Sequence, residues 1–233
     1  MSAKILVNQR FCGPPDSGNG GYVCGLLGRR FEGTAEVTLR SPPPLDVPLT
    51  VLGDPETGLR IMDGELLIAQ ACAAKLDLSV PELPDWPSVQ KAGQRYAGFQ
   101  KHLFPGCFVC GPEREPGDGL RVFAGQVEGT DILAAPWTPG PELADENGKV
   151  RPEFIWASLD CPGYFAVAAS AQPMLLGRLT LECEQELNSG TDCTVLAWSL
   201  GQEGRKHYAG TALFDHEGRR IARARAVWVA LRD

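Results

Sequence analysis

Two stretches of the chain carry the residues best suited to chemistry. In WASLDCPGYFA, Asp160 stands among Trp156, Leu159, Tyr164 and Phe165. A carboxylate in apolar company is costly unless it is paired or used, and burial raises its pKa toward the working range of a general base. The plainer reading is an exposed aspartate on a helix. In SGNGGYVCGLLG a small-residue turn opens a helix, with Asn19 as its cap and Gly20, Gly21 and Tyr22 in its first turn. Amides at a helix start are unpaired and carry partial positive charge, and glycine lets a carbonyl approach them closely. Gly20, Gly21 and Tyr22 are therefore candidates for holding an oxyanion, an effect worth about 3–4 kcal/mol per donor. The alternative is an ordinary Asn-capped helix. A carboxylate that aims water and donors that hold a developing oxyanion are together the parts of acyl hydrolysis.

The thiols and imidazoles are less decisive. Cys107 and Cys110 form a Cys-Phe-Val-Cys pair, with His102 five residues upstream. Such a knuckle is half of a structural zinc site, which needs four ligands. There is no second pair, and Cys12 in FCGPP is the one obvious extra loop thiol. The expectation is reduced loop cysteines, no metal and no cofactor. Cys161 adjoins Asp160, but no histidine lies near it in sequence, so packing is expected of it rather than nucleophilic attack. Phosphate loops, dinucleotide fingerprints and serine elbows are absent from the sequence.

Bulk properties narrow the setting. The chain has 233 residues, 43% hydrophobic and 22% charged, an ordinary globular balance that fits one large domain or two small ones. A net charge of −7 gives no whole-chain attraction to nucleic acid or to an anionic membrane. The local exception, Arg219, Arg220, Arg223 and Arg225, has the spacing of a strand with one solvated face, and a dock for coenzyme A phosphates is the minor alternative. No run approaches the ~20 apolar residues of a membrane helix, and MSAKILVNQRFCGPP lacks a signal-peptide core. A cytoplasmic chain with its eight cysteines reduced is expected.

The elements that must position these residues recur in the same order twice. SGNGGYVCGLLGRRF reads as a helix, followed by strand-like EVTLRSP, VPLTVLGD, TGLRIMD and ELLIAQACAAKL. RPEFIWASLDCPGYFAVAAS reads as one helix that carries Asp160 in its middle, followed by strands in GRLTLECEQEL, CTVLAWSL, RKHYAGTALFD and RRIARARAVWVAL. Val37-Thr38-Leu39 matches Leu179-Thr180-Leu181, and Ile68-Ala69-Gln70-Ala71 matches Ile221-Ala222-Arg223-Ala224. A shared order at this period argues for duplicated units. The expected division is 1–77, a linker at 78–119 rich in Pro, Gly and charge that wraps the surface, and 120–233, with DILAAPWTPG as a second loop. A helix on an antiparallel sheet, twice over, is an α+β arrangement.

The C-terminal half, through WASLDCPGYFA and the strands after it, resembles acyl-CoA thioesterase II, a double-hotdog family whose catalytic Asp falls on Asp160. The first helix resembles that of phenylacetate-type hotdog thioesterases, where Gly-Gly is followed by four residues and Leu-Ala-Asp; here Gly20-Gly21 lead to Leu26-Leu27-Gly28, so the acid is missing. The Thr and Gln that hold water in acyl-CoA thioesterase II fall near Leu200 and Ala226. Dehydratases of this superfamily use a histidine near the helix, and His102, His207 and His216 lie outside both expected helices. The resemblance implies a tandem hotdog that hydrolyses acyl-CoA or acyl-carrier thioesters, or one that binds them without turnover. Asp160 would aim water, Asn19, Gly20, Gly21 and Tyr22 would polarise the carbonyl, and Leu26, Trp156 and Phe165 would line the acyl site. Asp16 and Asn19 would face Asp160 across a pseudo-twofold axis, and two chains would pair as a homodimer.

Overall fold

The computed structural model describes residues 3–168 and 173–231. Its elements are β1 (Ala3–Leu6), α1 (Gly20–Gly28), β2 (Thr34–Leu39), β3 (Pro48–Asp54), β4 (Gly58–Asp63) and β5 (Leu66–Ala73). Next come α2 (Trp86–Gln94), β6 (Gly125–Gln126), β7 (Leu133–Trp137), α3 (Pro152–Ser158) and α4 (Cys161–Val167), and last β8 (Met174–Cys183), β9 (Cys193–Glu203), β10 (Lys206–Asp215) and β11 (Arg220–Ala230). All eleven strands join one sheet in the order β1-β3-β4-β5-β2-β8-β11-β10-β9-β7-β6.

That order is a mirror about the β2–β8 seam. Outward from it, β5, β4, β3 and β1 on one side answer β11, β10, β9 and β7 on the other. Val37 and Leu179, matched by the sequence repeat, lie directly opposite each other in the seam, so the pseudo-twofold axis passes between them. The core face of the seam is Ala35, Val37, Leu179 and Leu181, all buried. The other face is polar: Thr180 donates to Glu36 at 3.2 Å, and Arg178 donates to Thr38 at 3.1 Å. Strand periodicity of two sorts one sequence onto these two faces.

One strand adds to the sequence reading, and two local expectations are corrected. The N-terminal AKIL is strand β1, pairing with β3, although its apolar run is too short to announce itself. DILAAPWTPG is not a loop, because Leu133–Trp137 form β7 against β9. Pro136 is tolerated there because β6 reaches only Leu133 and Ala134, leaving one edge open at the proline. The helix expected over RPEFIWASLDCPGYFAVAAS is two helices, α3 and α4, broken at Leu159 and Asp160; its last residues, Ala169 and Ser170, lie outside the described residues. Pro162 has no N–H to give the Ser158 carbonyl, and its ring would strike that carbonyl in a continuous helix. It fits instead in the first turn of α4.

Helix α1 is buried from Gly21 to Gly28, as expected of a helix that is apolar all round. It lies between the sheet and α3. Segment 78–119 holds helix α2, and Val89 and Ala92 join Leu78 to cover Ala134, Leu196, Trp198, Ala212 and Phe214 on the outer face of the second half's sheet. The β9 run Cys193–Trp198 is accordingly buried at every position, because helices cover both faces. Leu179→Ala, at a fully buried seam position, is expected to lower unfolding free energy by about 2–5 kcal/mol in urea denaturation.

Candidate functional site

The break between α3 and α4 is held by hydrogen bonds that a continuous helix would not need. The Leu159 carbonyl accepts from Thr211 Oγ1 of β10 at 2.9 Å, and the Asp160 carbonyl accepts from the Gly163 amide at 2.9 Å. Asp160 itself has φ −83° and ψ −80°, outside the helical region, and this turns its side chain away from α4. The carboxylate reaches across to the start of α1 instead.

There Asp160 Oδ2 accepts from the Gly21 amide at 2.8 Å and from Asn19 Nδ2 at 3.0 Å. Asn19 also works as the helix cap, its Oδ1 accepting from the Tyr22 amide at 2.9 Å. Asp160 is 2% exposed and Asn19 equally so. The second carboxylate oxygen, Oδ1, is buried with no hydrogen-bond partner among the described residues. Burial pushes the Asp160 carboxyl up to about 7; the Gly21 hydrogen bond opposes the rise, the Cys107 sulfur adds to it, and Asn19 opposes it.

Close packing of the helices makes this contact. A Cβ at Gly21 would collide with the Asp160 Cβ, one at Gly25 with the Glu153 backbone, and one at Gly28 with the Trp156 ring. Trp156 and Leu26 are buried in the core. Phe165 packs in an outer aromatic layer, with ring centroids 4.7 Å from Tyr96 and 5.2 Å from Tyr164. Tyr22 stacks on Phe11 at 4.2 Å, and burial raises its hydroxyl to about 12. The structure thus joins Asn19, Gly21 and Asp160 directly and places Gly20 and Tyr22 beside them. Two of the three first-turn amides are already engaged; the Gly20 amide has no partner among the described residues. Asp16 is exposed, so it does not face the buried carboxylate. Two surface clefts, of about 320 and 370 Å³, are lined by other residues and do not reach Asp160.

Sequence reasoning missed several groups. Thr211 secures the break, and the Trp228 indole N–H is buried beside Gly163 without a partner among the described residues. Neither has a local motif, since each is an alternate residue of an ordinary strand. The thiols of Cys107, Cys110 and Cys161 converge within 4.8 Å of one another, the only such group of metal-binding side chains among the described residues. Cys161 is buried in the core, as expected of it, and there it meets two thiols from the segment between the halves. The four arginines of the C-terminal cluster are engaged: Arg219 with Asp215, Arg220 with Glu184, Arg223 with Glu182, and Arg225 over Tyr208. Three of the four are thereby held in ion pairs. No helix among the described residues is long and apolar enough to cross a membrane.

At the level of sequence nothing matches, neither a family profile nor a curated protein. Solved structures do. A putative thioesterase from Novosphingobium aromaticivorans superposes on 99% of this chain and 96% of its own, with a TM-score of 0.64 and 11% identity. A protein with a hot dog fold from Alicyclobacillus acidocaldarius covers 100% of this chain and 94% of its own, with a TM-score of 0.61 and 10% identity. The chain is a double hotdog. Similar over its whole length is also an acyl-CoA thioesterase II from Mycobacterium marinum, covering 100% of this chain and 93% of its own, with a TM-score of 0.62 and 11% identity. At such identities the double-hotdog likeness fixes architecture, and the reaction has to be argued from side chains.

In an isolated helix Gly21→Ala would add about 1 kcal/mol of stability. In this double hotdog the collision with Asp160 is expected to reverse the sign, for a net loss of about 1–3 kcal/mol in chemical denaturation. A more stable variant would show that the helices can part without cost.

Proposed function

We propose that this protein hydrolyses acyl thioesters of the coenzyme A class. The observation that carries the reading is the state of Asp160: a buried carboxylate with one oxygen pinned by Gly21 and Asn19 and the other without a partner. A pinned carboxylate has a fixed direction, and its unpartnered Oδ1 suits a water molecule's hydrogen. The water so aimed forms the new C–O bond at the thioester carbonyl while the C–S bond breaks. Its proton passes by way of the carboxylate to the departing thiolate, giving a carboxylic acid and a free thiol. The Gly20 amide at the α1 start is the donor left to polarise the carbonyl, supported by the partial positive charge of the helix terminus. The fold adds consistency, since structures sharing it include thioesterases.

In this reading the acyl group would reach Asp160 past the partly exposed rings of Tyr164 and Phe165, since the core beside Leu26 and Trp156 is packed. A second reading, an acyl-thioester-binding protein without turnover, is favoured by one feature. The positions that would supply a Thr and a Gln are an exposed Leu200 and a buried Ala226, neither able to hold water.

Thiol release from short, medium, long and aromatic acyl-CoAs separates the two. Wild type is expected to turn over at least one of these, and Asp160→Asn to lower kcat by about 10²–10⁴-fold with its circular dichroism unchanged. Binding of acyl-CoA by wild type without release on any substrate would support the second reading instead. Asn19→Ala removes a cap and one hold on Asp160 together, and is expected to cost about 1 kcal/mol in thermal or urea unfolding besides slowing turnover.

A further inference from the structure

Three thiols from two distant parts of the chain meet beside Asp160. Cys107 and Cys110 come from the segment between the halves, and Cys161 from the first position of α4. All three are buried and unoxidised. Sulfurs bound at about 2.3 Å to the corners of a tetrahedron stand about 3.8 Å apart. Cys107 Sγ and Cys161 Sγ are 3.7 Å apart, and Cys110 Sγ completes a triangle with every edge within 4.8 Å. His102 Nε2 lies 3.3 Å from Cys110 Sγ but outside the group whose ligand atoms all stand within 4.8 Å of one another. We propose that Cys107, Cys110 and Cys161, with His102 as the fourth ligand, form a tetrahedral site for a zinc-class cation.

The surroundings support a built site. The Cys107–Cys110 turn closes with the Gly111 amide donating to the Cys107 carbonyl at 2.9 Å, and a side chain at 111 would collide with the Pro105 and Cys107 backbone. The Cys107 and Cys161 thiols are already in hydrogen-bonding contact, so the two chain segments meet sulfur to sulfur. Asn19 serves as an outer partner: its Nδ2 lies 3.9 Å from Cys107 Sγ and 3.8 Å from Cys161 Sγ while it donates to Asp160.

Binding releases the thiol protons to solvent and changes no oxidation state. His102 must rearrange to join. Its Nδ1 accepts from the Phe104 amide at 3.0 Å, so the neutral ring carries its proton on Nε2, which points at the Tyr96 hydroxyl 2.9 Å away. Coordination through Nε2 moves that proton to Nδ1 and breaks the Phe104 contact. The bound cation then clips the 102–110 segment to the α3–α4 break that carries Asp160. The proposal stands whether or not the protein hydrolyses thioesters.

The test is metal content of the full-length protein, purified in reductant without chelator, and titration of the metal-free protein with zinc and with cobalt(II). One zinc per chain and the intense visible bands of a tetrahedral cobalt thiolate centre are expected. Cys107→Ser should weaken zinc binding by more than about a hundred-fold, beyond the loss of an outer partner, while Cys72→Ser, at an exposed thiol, leaves it unchanged. His102→Ala should weaken it at least ten-fold; unchanged affinity would remove His102 from the ligand set. If Cys107→Ser does not fold, the wild-type stoichiometry and cobalt spectrum decide alone. Absence of zinc as isolated, together with no cobalt thiolate bands on titration, would overturn the proposal.

Discussion

Helices α1 and α3 approach so closely that Gly21, Gly25 and Gly28 leave no room for a side chain on the facing side of α1. Much else follows from this constraint. Only at such a distance can a backbone amide of one helix donate to a carboxylate at the end of the other, as Gly21 does to Asp160. The same approach seals the core around Leu26 and Trp156, so Asp160 loses nearly all contact with solvent. A buried carboxylate depends on the few donors that remain, and Gly21 and Asn19 supply them to one oxygen alone.

The two halves share a plan and differ where chemistry is concerned. Each has a helix on a sheet of the same strand order, and Val37 meets Leu179 on the axis that relates them. The first half contributes a helix start with its cap, and the second contributes a helix that stops and restarts. Pro162 makes the stop, Thr211 takes the Leu159 carbonyl, and the freed dihedrals of Asp160 aim its side chain at the other half. The site therefore belongs to neither half alone.

The segment between the halves does more than connect them. Its helix α2 covers an apolar sheet face that would otherwise be exposed, and its Cys107–Cys110 turn reaches the same buried region as Asn19 and Asp160. Arg223 fastens the segment's start by donating to the Leu78 carbonyl at 2.7 Å. Long connections in compact domains tend to have such work.

The sequence by itself determined the two-fold plan, the eight long strands of the two halves and the α1 start at Asn19-Gly20-Gly21, and it singled out Asp160 as a candidate. These are local signals: alternation of period two, a capping residue before an apolar run, and a carboxylate among aromatics. It left β1 and β7 illegible, because AKIL is too short and Pro136 disguises a strand as a loop. Only the tertiary structure decided that Asp160 lies in a break rather than mid-helix, that Gly21 and Asn19 hold it, that Asp16 stays outside, and that Cys161 meets Cys107 across 54 residues. The break has a local cause in Pro162 that the helical pattern around it hid. The other three depend on where segments far apart in the chain come to rest, and that is set by the packing of whole elements, to which no spacing of neighbouring residues is a guide.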